Sequence, residues 1–90
     1  MANRRLLKKN INSIIIDLIT ECLFYQDMVP NADVKAADDI IRELLSINND
    51  FLSRVSHTEK GNAKAYYRAL TSSFNKEIVK ITDKIAELNK

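Results

Sequence analysis

Hydrophobic residues recur at spacings of three and four residues in three successive segments of the chain. This is the periodicity of an α-helix with one apolar face, and none of the segments shows the strict alternation of a β-strand. One proline, Pro30, and one glycine, Gly61, separate the segments, and both residue types favour turns. The pattern therefore predicts three helices, over residues 4–28, 32–56 and 63–88.

Asparagines precede the first two predicted helices, where a side chain can accept a hydrogen bond from the first turn. Asn3 and Asn31 are both suitable N-caps, and Asp33 would then fall in the first turn of the second helix. Connections this short place consecutive long helices side by side in opposite directions. We therefore expect an all-α fold, an antiparallel up-down-up three-helix bundle that forms one domain over residues 1–90.

The apolar faces of the three predicted helices differ in width. At about 100° per residue, the face spans about 80° on the third helix, about 160° on the second and about 200° on the first. A bundle helix with two neighbours cannot bury the widest of these faces, so we expect the first helix to mediate self-association, most simply as a two-fold homodimer. The alternative is that this helix lies deeper and that long side chains cover its flanks. The candidate interface residues are Leu6, Ile14, Ile16, Leu23 and Phe24.

Asn48 lies on the apolar face of the second predicted helix, beside Leu44 and Leu45. A buried asparagine can fix the register or oligomeric state of packed helices at a cost in stability. An asparagine at the edge of the face would instead reach water, and this second interpretation is the one we favour.

The formal net charge of the 90-residue chain is only +2, but its charges are unevenly distributed. An up-down-up bundle brings residues 1–12 and 50–70 to one end, where cations outnumber acids, and leaves an excess of acids elsewhere. Cations interleaved with an aromatic side chain can bind phosphate and stack a base. The alternative is a solvated charged end with its tyrosine packed against neighbours. We call this end the basic pole; its candidate residues are Arg4, Arg5, Lys8, Lys9, Arg54, Lys60, Lys64, Tyr66 and Arg68.

The motifs of an enzyme are missing from this sequence. His57 is the one histidine and is predicted in a turn, while Cys22 is the one cysteine and is predicted to be an inert thiol in the core. There is no glycine-rich phosphate loop and no metal-ligand spacing, and the acids of the second helix are ordinary partners of its dipole. We therefore predict a protein that is not an enzyme, with no cofactor, no metal site and no small-molecule substrate.

The N-terminal segment does not have the pattern of a signal peptide or a membrane anchor. Asp17 and Glu21 interrupt its apolar run, which is therefore too short to span a bilayer. The apolar residues of the first helix are needed for the core, so we do not expect binding to a membrane surface. A single cysteine excludes an intrachain disulfide, and we expect a cytoplasmic protein.

Two stretches, MANRRLLKKNIN at the start and SHTEKGNAKAYYRAL before the third helix, carry a resemblance to a known family. The chain resembles a small family of uncharacterised, all-helical bacterial proteins of similar length, and the resemblance spans the whole sequence. It implies a cytoplasmic, helical bacterial protein. The family has no known activity, ligand or partner, so no functional residue is transferred from it.

The sequence thus favours a non-catalytic protein-interaction or structural module that associates with itself, or with another protein, through the first helix. The alternative is a nucleic-acid-binding accessory protein that uses the basic pole. Its pI of 8.8 lies below the range that usually signals nucleic-acid binding.

Overall fold

A computed structural model describes residues 4–57 and 63–88 of the chain. This part of the chain forms three helices and no strand: α1 (Arg4–Met28), α2 (Val34–Ser56) and α3 (Ala63–Leu88). The bounds of α1 and α3 agree with the prediction, and the all-α, three-helix fold is confirmed. The proposed cap Asn3 lies outside the described residues.

Polar contacts at both ends of α1 show that it runs antiparallel to α2. Near the start of α1, the side-chain amide of Asn48 donates to Asn12 Oδ1 at 3.3 Å. Near its end, Gln26 Nε2 donates to Asp38 Oδ1 at 2.8 Å. The residue numbers rise along one helix as they fall along the other, as an up-down connection requires.

A second pair of contacts orients α3 antiparallel to α2. Lys84 Nζ donates to the two carboxylate oxygens of Glu43 at 2.9 and 2.7 Å. At the other end, the hydroxyl of Tyr66 donates to the carbonyl oxygen of Arg54 at 3.0 Å. The predicted up-down-up order is therefore confirmed, and the ends of α2 and α3 that meet at the basic pole are joined by the tyrosine.

The turn between α1 and α2 corrects the predicted start of the second helix. Asn31 has a φ of 62°, a left-handed conformation that asparagine tolerates better than most residues. The N-cap is instead Asp33, whose Oδ1 accepts from the backbone N–H of Ala36 at 3.0 Å. The hydroxyl of Tyr25, a core residue of α1, accepts from the backbone N–H of Asp33 at 2.9 Å. The helix consequently begins at Val34, two residues later than predicted.

The hydrophobic core draws on all three helices, and α2 is the central one. The backbone of α2 approaches both neighbours closely, whereas α1 and α3 approach each other less. The rings of Phe51 and Phe74 pack edge to face across the α2–α3 interface, with centroids 5.3 Å apart. The core cluster is Ile11, Ile15, Cys22, Ile40, Leu44, Ile47, Phe51, Val55, Tyr67, Leu70, Phe74, Ile81 and Ile85.

Adjacent leucines of α2 provide a matched test of this core. Leu44 is fully buried, whereas 48% of Leu45 is exposed. We expect Leu44→Ala to lower the free energy of unfolding by about 2–5 kcal/mol, because it removes buried methyl groups and leaves a cavity. Leu45→Ala, the control, should cost less than about 1 kcal/mol, and urea denaturation followed by circular dichroism measures both. Equal costs would mean that the two side chains are buried to the same extent.

Candidate functional site

The basic pole is assembled from the start of α1, the end of α2 and the start of α3. The contact between Tyr66 and Arg54 joins α2 to α3 there, and the antiparallel order brings the first turns of α1 to the same end. Within the described part of the chain, six of its cations form no ion pair. These six are Arg4, Arg5, Lys8, Lys9, Lys64 and Arg68.

Other residues predicted for the basic pole have structural roles in the fold. Arg54 forms an ion pair with Asp50 at 3.0 Å, and its guanidinium lies 4.7 Å from the centroid of the Phe51 ring. Tyr66 is 37% exposed and uses its hydroxyl to bond the end of α2, so its ring is held in place. Lys60 lies outside the described residues. Within the described part of the chain, the pole therefore presents six cations without an ion pair and one partly exposed tyrosine that bonds the end of α2.

The charges at both ends of α1 oppose the dipole of that helix. Its first turn has no acid and its last turn has no base, although the partial charges of a helix favour the reverse. Part of the penalty at the start is offset by α2, because the C-terminal carbonyls of an antiparallel neighbour lie at the same end as the cations. No base lies within the last turn of α1 to balance Asp27 at the other end.

All five predicted interface residues of α1 are exposed, and they lie on two different sides of the helix. At about 100° per residue, Ile16 and Leu23 lie within about 20° of each other, next to the side of α1 that bonds α2. Leu6 and Phe24 lie about 90° further round the helix, and Ile14 is further still, toward α3. The five residues therefore do not form one continuous patch.

The side carrying Ile16 and Leu23 continues onto α2. The Asn12–Asn48 and Gln26–Asp38 hydrogen bonds set the register of the two helices and place Leu45 at about the level of Ile16. At about 100° per residue, Leu45 also lies on the same side of α2 as Asp38 and Asn48. Between 47% and 52% of each of the Ile16, Leu23 and Leu45 side chains is exposed. We call this surface the α1–α2 face, and the half-buried Ile19 and Ile41 lie beneath it. Leu45 was predicted to lie on the apolar face of α2 but was not among the candidate interface residues, so this part of the face was missed.

The second exposed side of α1 borders α3 at the far end from the basic pole. Phe24 and Met28 are 58% and 72% exposed and form, with Tyr25, Val29 and Ile85, an open apolar cleft. We call this surface the α1–α3 cleft. Its rim includes Glu21, so an acid borders the most exposed apolar side chains of the helix.

Asn48 is half-buried at one edge of the α1–α2 face. Its amide nitrogen bonds Asn12, but its Oδ1 is buried and accepts no hydrogen bond within the described part of the chain. The side chain is thus neither a fully buried register-setting residue nor freely hydrated. It forms, with Asn12, a polar border to the apolar surface.

Cys22 and His57 occupy separate parts of the molecule. Cys22 is fully buried in the core, whereas His57 caps the end of α2, with its Nδ1 2.7 Å from the carbonyl oxygen of Ser53. The antiparallel register places them about 25 Å apart along the helices. Burial, and to a smaller extent the charge of Glu21, raises the pKa of the Cys22 thiol. The nucleophilic thiolate is therefore disfavoured, and a cysteine–histidine pair is excluded by distance.

Within residues 4–57 and 63–88, no three His, Cys, Asp or Glu side chains converge as a metal site would require. The helices of this region also include none with the length and apolarity needed to cross a membrane. One open surface depression runs along the outer side of α3, from Arg68 to Lys80, and is lined by that helix alone. It has no opposing wall with which to enclose a substrate.

Comparisons with protein-family models, curated proteins and solved structures give no match to this chain.

The buried thiol predicts a pH dependence of stability that its removal should reduce. An unfolded cysteine ionises at about pH 8.5, whereas burial raises the pKa of native Cys22 and shifts its ionisation to higher pH. The unfolded state then binds fewer protons, so the free energy of unfolding should fall as the pH rises from about 8 to about 10. We expect Cys22→Ala to show a smaller fall over the same range in urea titrations. Parallel curves for the two proteins would show that the thiol is not a source of the dependence.

Proposed function

We propose that this protein is a non-catalytic interaction or structural module that associates with itself through α1. The observation that supports the proposal is the distribution of exposed apolar side chains over the described residues. Six large ones lie on α1, against two on α2 and two on α3. Exposed apolar patches are typical of protein-interaction surfaces, and α1 contributes to two of them, the α1–α2 face and the α1–α3 cleft. The six on α1 are Leu6, Ile14, Ile16, Leu23, Phe24 and Met28.

The size of the expected effect follows from the exposure of these side chains. Burying the exposed half of one leucine, isoleucine or phenylalanine stabilises by about 1 kcal/mol. A two-fold dimer that buries three such residues per copy gains about 6 kcal/mol, which is near the lower estimates for the entropic cost of association. Apolar burial therefore does little more than offset this cost, and polar contacts have to supply the net affinity. We expect a weak, reversible homodimer with a Kd of about 0.1–1 mM. Association with another protein through the same helix is the related possibility.

A cytoplasmic location in a bacterium belongs to this proposal. It is supported by the resemblance of MANRRLLKKNIN and SHTEKGNAKAYYRAL to bacterial proteins and by the use of a single cysteine.

Sedimentation velocity from about 1 μM to 1 mM tests self-association. The wild-type chain has a mass of 10.3 kDa, and its weight-average mass should rise toward twice that value with concentration. A variant with Ile16→Gln, Leu23→Gln and Phe24→Gln should remain a monomer, because exposed apolar area is removed from both sides of α1. Val79→Gln, a matched control at a 59% exposed residue of α3, should associate like the wild type. A wild-type monomer at 1 mM would contradict the proposal.

Nucleic-acid binding at the basic pole is the second candidate function. It is supported by the six cations that form no ion pair within the described part of the chain and by the adjacent exposed Tyr66. Cations without partners are available to phosphates, and binding through them depends steeply on salt. The two candidates use different residues and can be tested separately.

Fluorescence anisotropy with labelled single- and double-stranded DNA and RNA tests this second candidate. If the pole binds phosphates, changing Arg4, Arg5, Lys8 and Lys9 to glutamine should weaken binding. On duplex DNA, each lost contact should reduce the slope of log affinity against log salt by about 0.9. A control variant with an equal loss of charge elsewhere should bind like the wild type; it carries glutamine at Lys35, Arg42, Lys76 and Lys80. Absence of wild-type binding at low salt would exclude this candidate.

A further inference from the structure

We infer that a second copy of this chain docks on the α1–α2 face, with its own α1 antiparallel to the first and a two-fold axis near Ile16. This inference rests on the proposed self-association and adds to it the surface, the direction and the residues that meet. It is drawn from the polarity of the face and from the order of charges along one side of α1.

The α1–α2 face has an apolar centre with polar borders. Ile16, Leu23 and Leu45 form the centre, and each is about half exposed. The Asn12–Asn48 hydrogen bond borders one end and the Gln26–Asp38 hydrogen bond borders the other. An apolar centre with a polar rim is the common organisation of a protein–protein interface.

The dimensions of this face are sufficient for a dimer. The 25 residues of α1 extend about 37 Å, and the bundle is about 19 Å across, which gives a face of about 700 Å². A standard interface buries about 600–1,000 Å² per partner, so this face is large enough for a small one. A helix about 10 Å wide and as long as α1, lying over the boundary between α1 and α2, would cover its centre, as α1 of a second copy would.

On one side of α1, four residues are placed at equal distances before and after Ile16. At about 100° per residue, Arg5, Lys9, Ile16, Leu23 and Asp27 lie within about 40° of one another. Lys9 and Leu23 are both seven residues from Ile16, and Arg5 and Asp27 are both eleven residues from it. A two-fold axis through Ile16 with antiparallel helices therefore places Arg5 of each copy opposite Asp27 of the other, with Lys9 one turn away.

The three charged residues have no competing partner in the described part of the chain. Arg5, Lys9 and Asp27 are exposed, and none of them forms an ion pair there. In the antiparallel arrangement, the two-fold axis places an Arg5–Asp27 pair at each end of the interface, so the charges at both ends are paired. A parallel arrangement would instead oppose Arg5 to Arg5 and Asp27 to Asp27, which is unfavourable.

An antiparallel second copy also relieves the reversed polarity of α1. The first turn of α1 lacks acids and its last turn lacks bases, contrary to the preference of the helix dipole. Beside an antiparallel α1, the cations of one copy lie next to the C-terminal carbonyls of the other, and Asp27 lies next to an N-terminus. The charged residues of α1 are thus unfavourably placed with respect to the dipole of their own helix but favourably placed with respect to the dipole of α1 in the second copy.

The other exposed side of α1 does not have this self-complementarity. Between Leu6 and Met28, that side carries Asp17 and Glu21 and no cation. An antiparallel copy centred on this stretch would place Asp17 against its own equivalent. The α1–α3 cleft is therefore disfavoured as the site of a second copy, despite its more exposed apolar residues.

A charge-swap experiment tests the geometry directly. Asp27→Lys and the double variant Arg5→Glu, Lys9→Glu should each weaken self-association at least tenfold, because like charges then meet at both ends of the homodimer. An equimolar mixture should form a heterodimer with near wild-type affinity. At one end Arg5 of the first protein meets Asp27 of the second, as in the wild type, and at the other end the two substituted positions carry opposite charges. Sedimentation velocity of each protein and of the mixture, with one partner carrying an absorbing label, measures these affinities.

Two further variants identify the face. Leu45→Gln should weaken association at least fivefold, although the residue lies on α2. Phe24→Gln with Met28→Gln, on the cleft side, should leave it unchanged. Circular dichroism checks that every variant retains its helical content.

The outcomes separate this inference from the proposed function. Failure of the mixture to associate, or loss of association on changing the cleft side alone, would overturn the antiparallel geometry while wild-type self-association stands. A wild-type chain that remains monomeric at 1 mM would overturn both.

Discussion

The fold depends on the burial of two sides of α2. Leu44, Phe51 and Val55 are almost completely enclosed, since α1 covers one side of this helix and α3 covers the other. The two outer helices approach each other less closely, so each is packed mainly against α2. This arrangement leaves on α1 an outer surface that is still rich in apolar side chains.

Helical periodicity determines the extents of α1 and α3 well, because those signals are local. The start of α2 was placed two residues early, since Asn31 and Asp33 are both good capping residues and the sequence does not rank them. The choice is made by tertiary structure: Tyr25 bonds the backbone of Asp33, and Asn31 takes the left-handed conformation of the turn. A prediction of the N-cap from neighbouring residues alone cannot take into account the hydrogen bond from the hydroxyl of Tyr25 in the preceding helix.

The same limit applies to the surfaces. The width of an apolar arc shows how much surface a helix offers, but not which edge a neighbour covers. Leu45 was therefore predicted only to lie on the apolar face of α2, and it is half exposed because α3 packs against the other side of that helix. Likewise, Arg54 was expected to be an available cation, but Asp50 one turn earlier and the Phe51 ring engage it. The exposure of the five α1 residues, by contrast, followed from the excess width of that face.

The connection order also has a consequence for how the chain folds. Two helical hairpins, α1–α2 and α2–α3, share their middle helix, and each closes through a short segment of chain. Contacts between neighbouring helices have low contact order, and such topologies fold on the microsecond to millisecond scale. Either hairpin can form first and offer α2 as a template to the remaining helix. The loop-closure entropy is then lost in two small steps. Folds that pair segments far apart in the sequence lose it in one larger step.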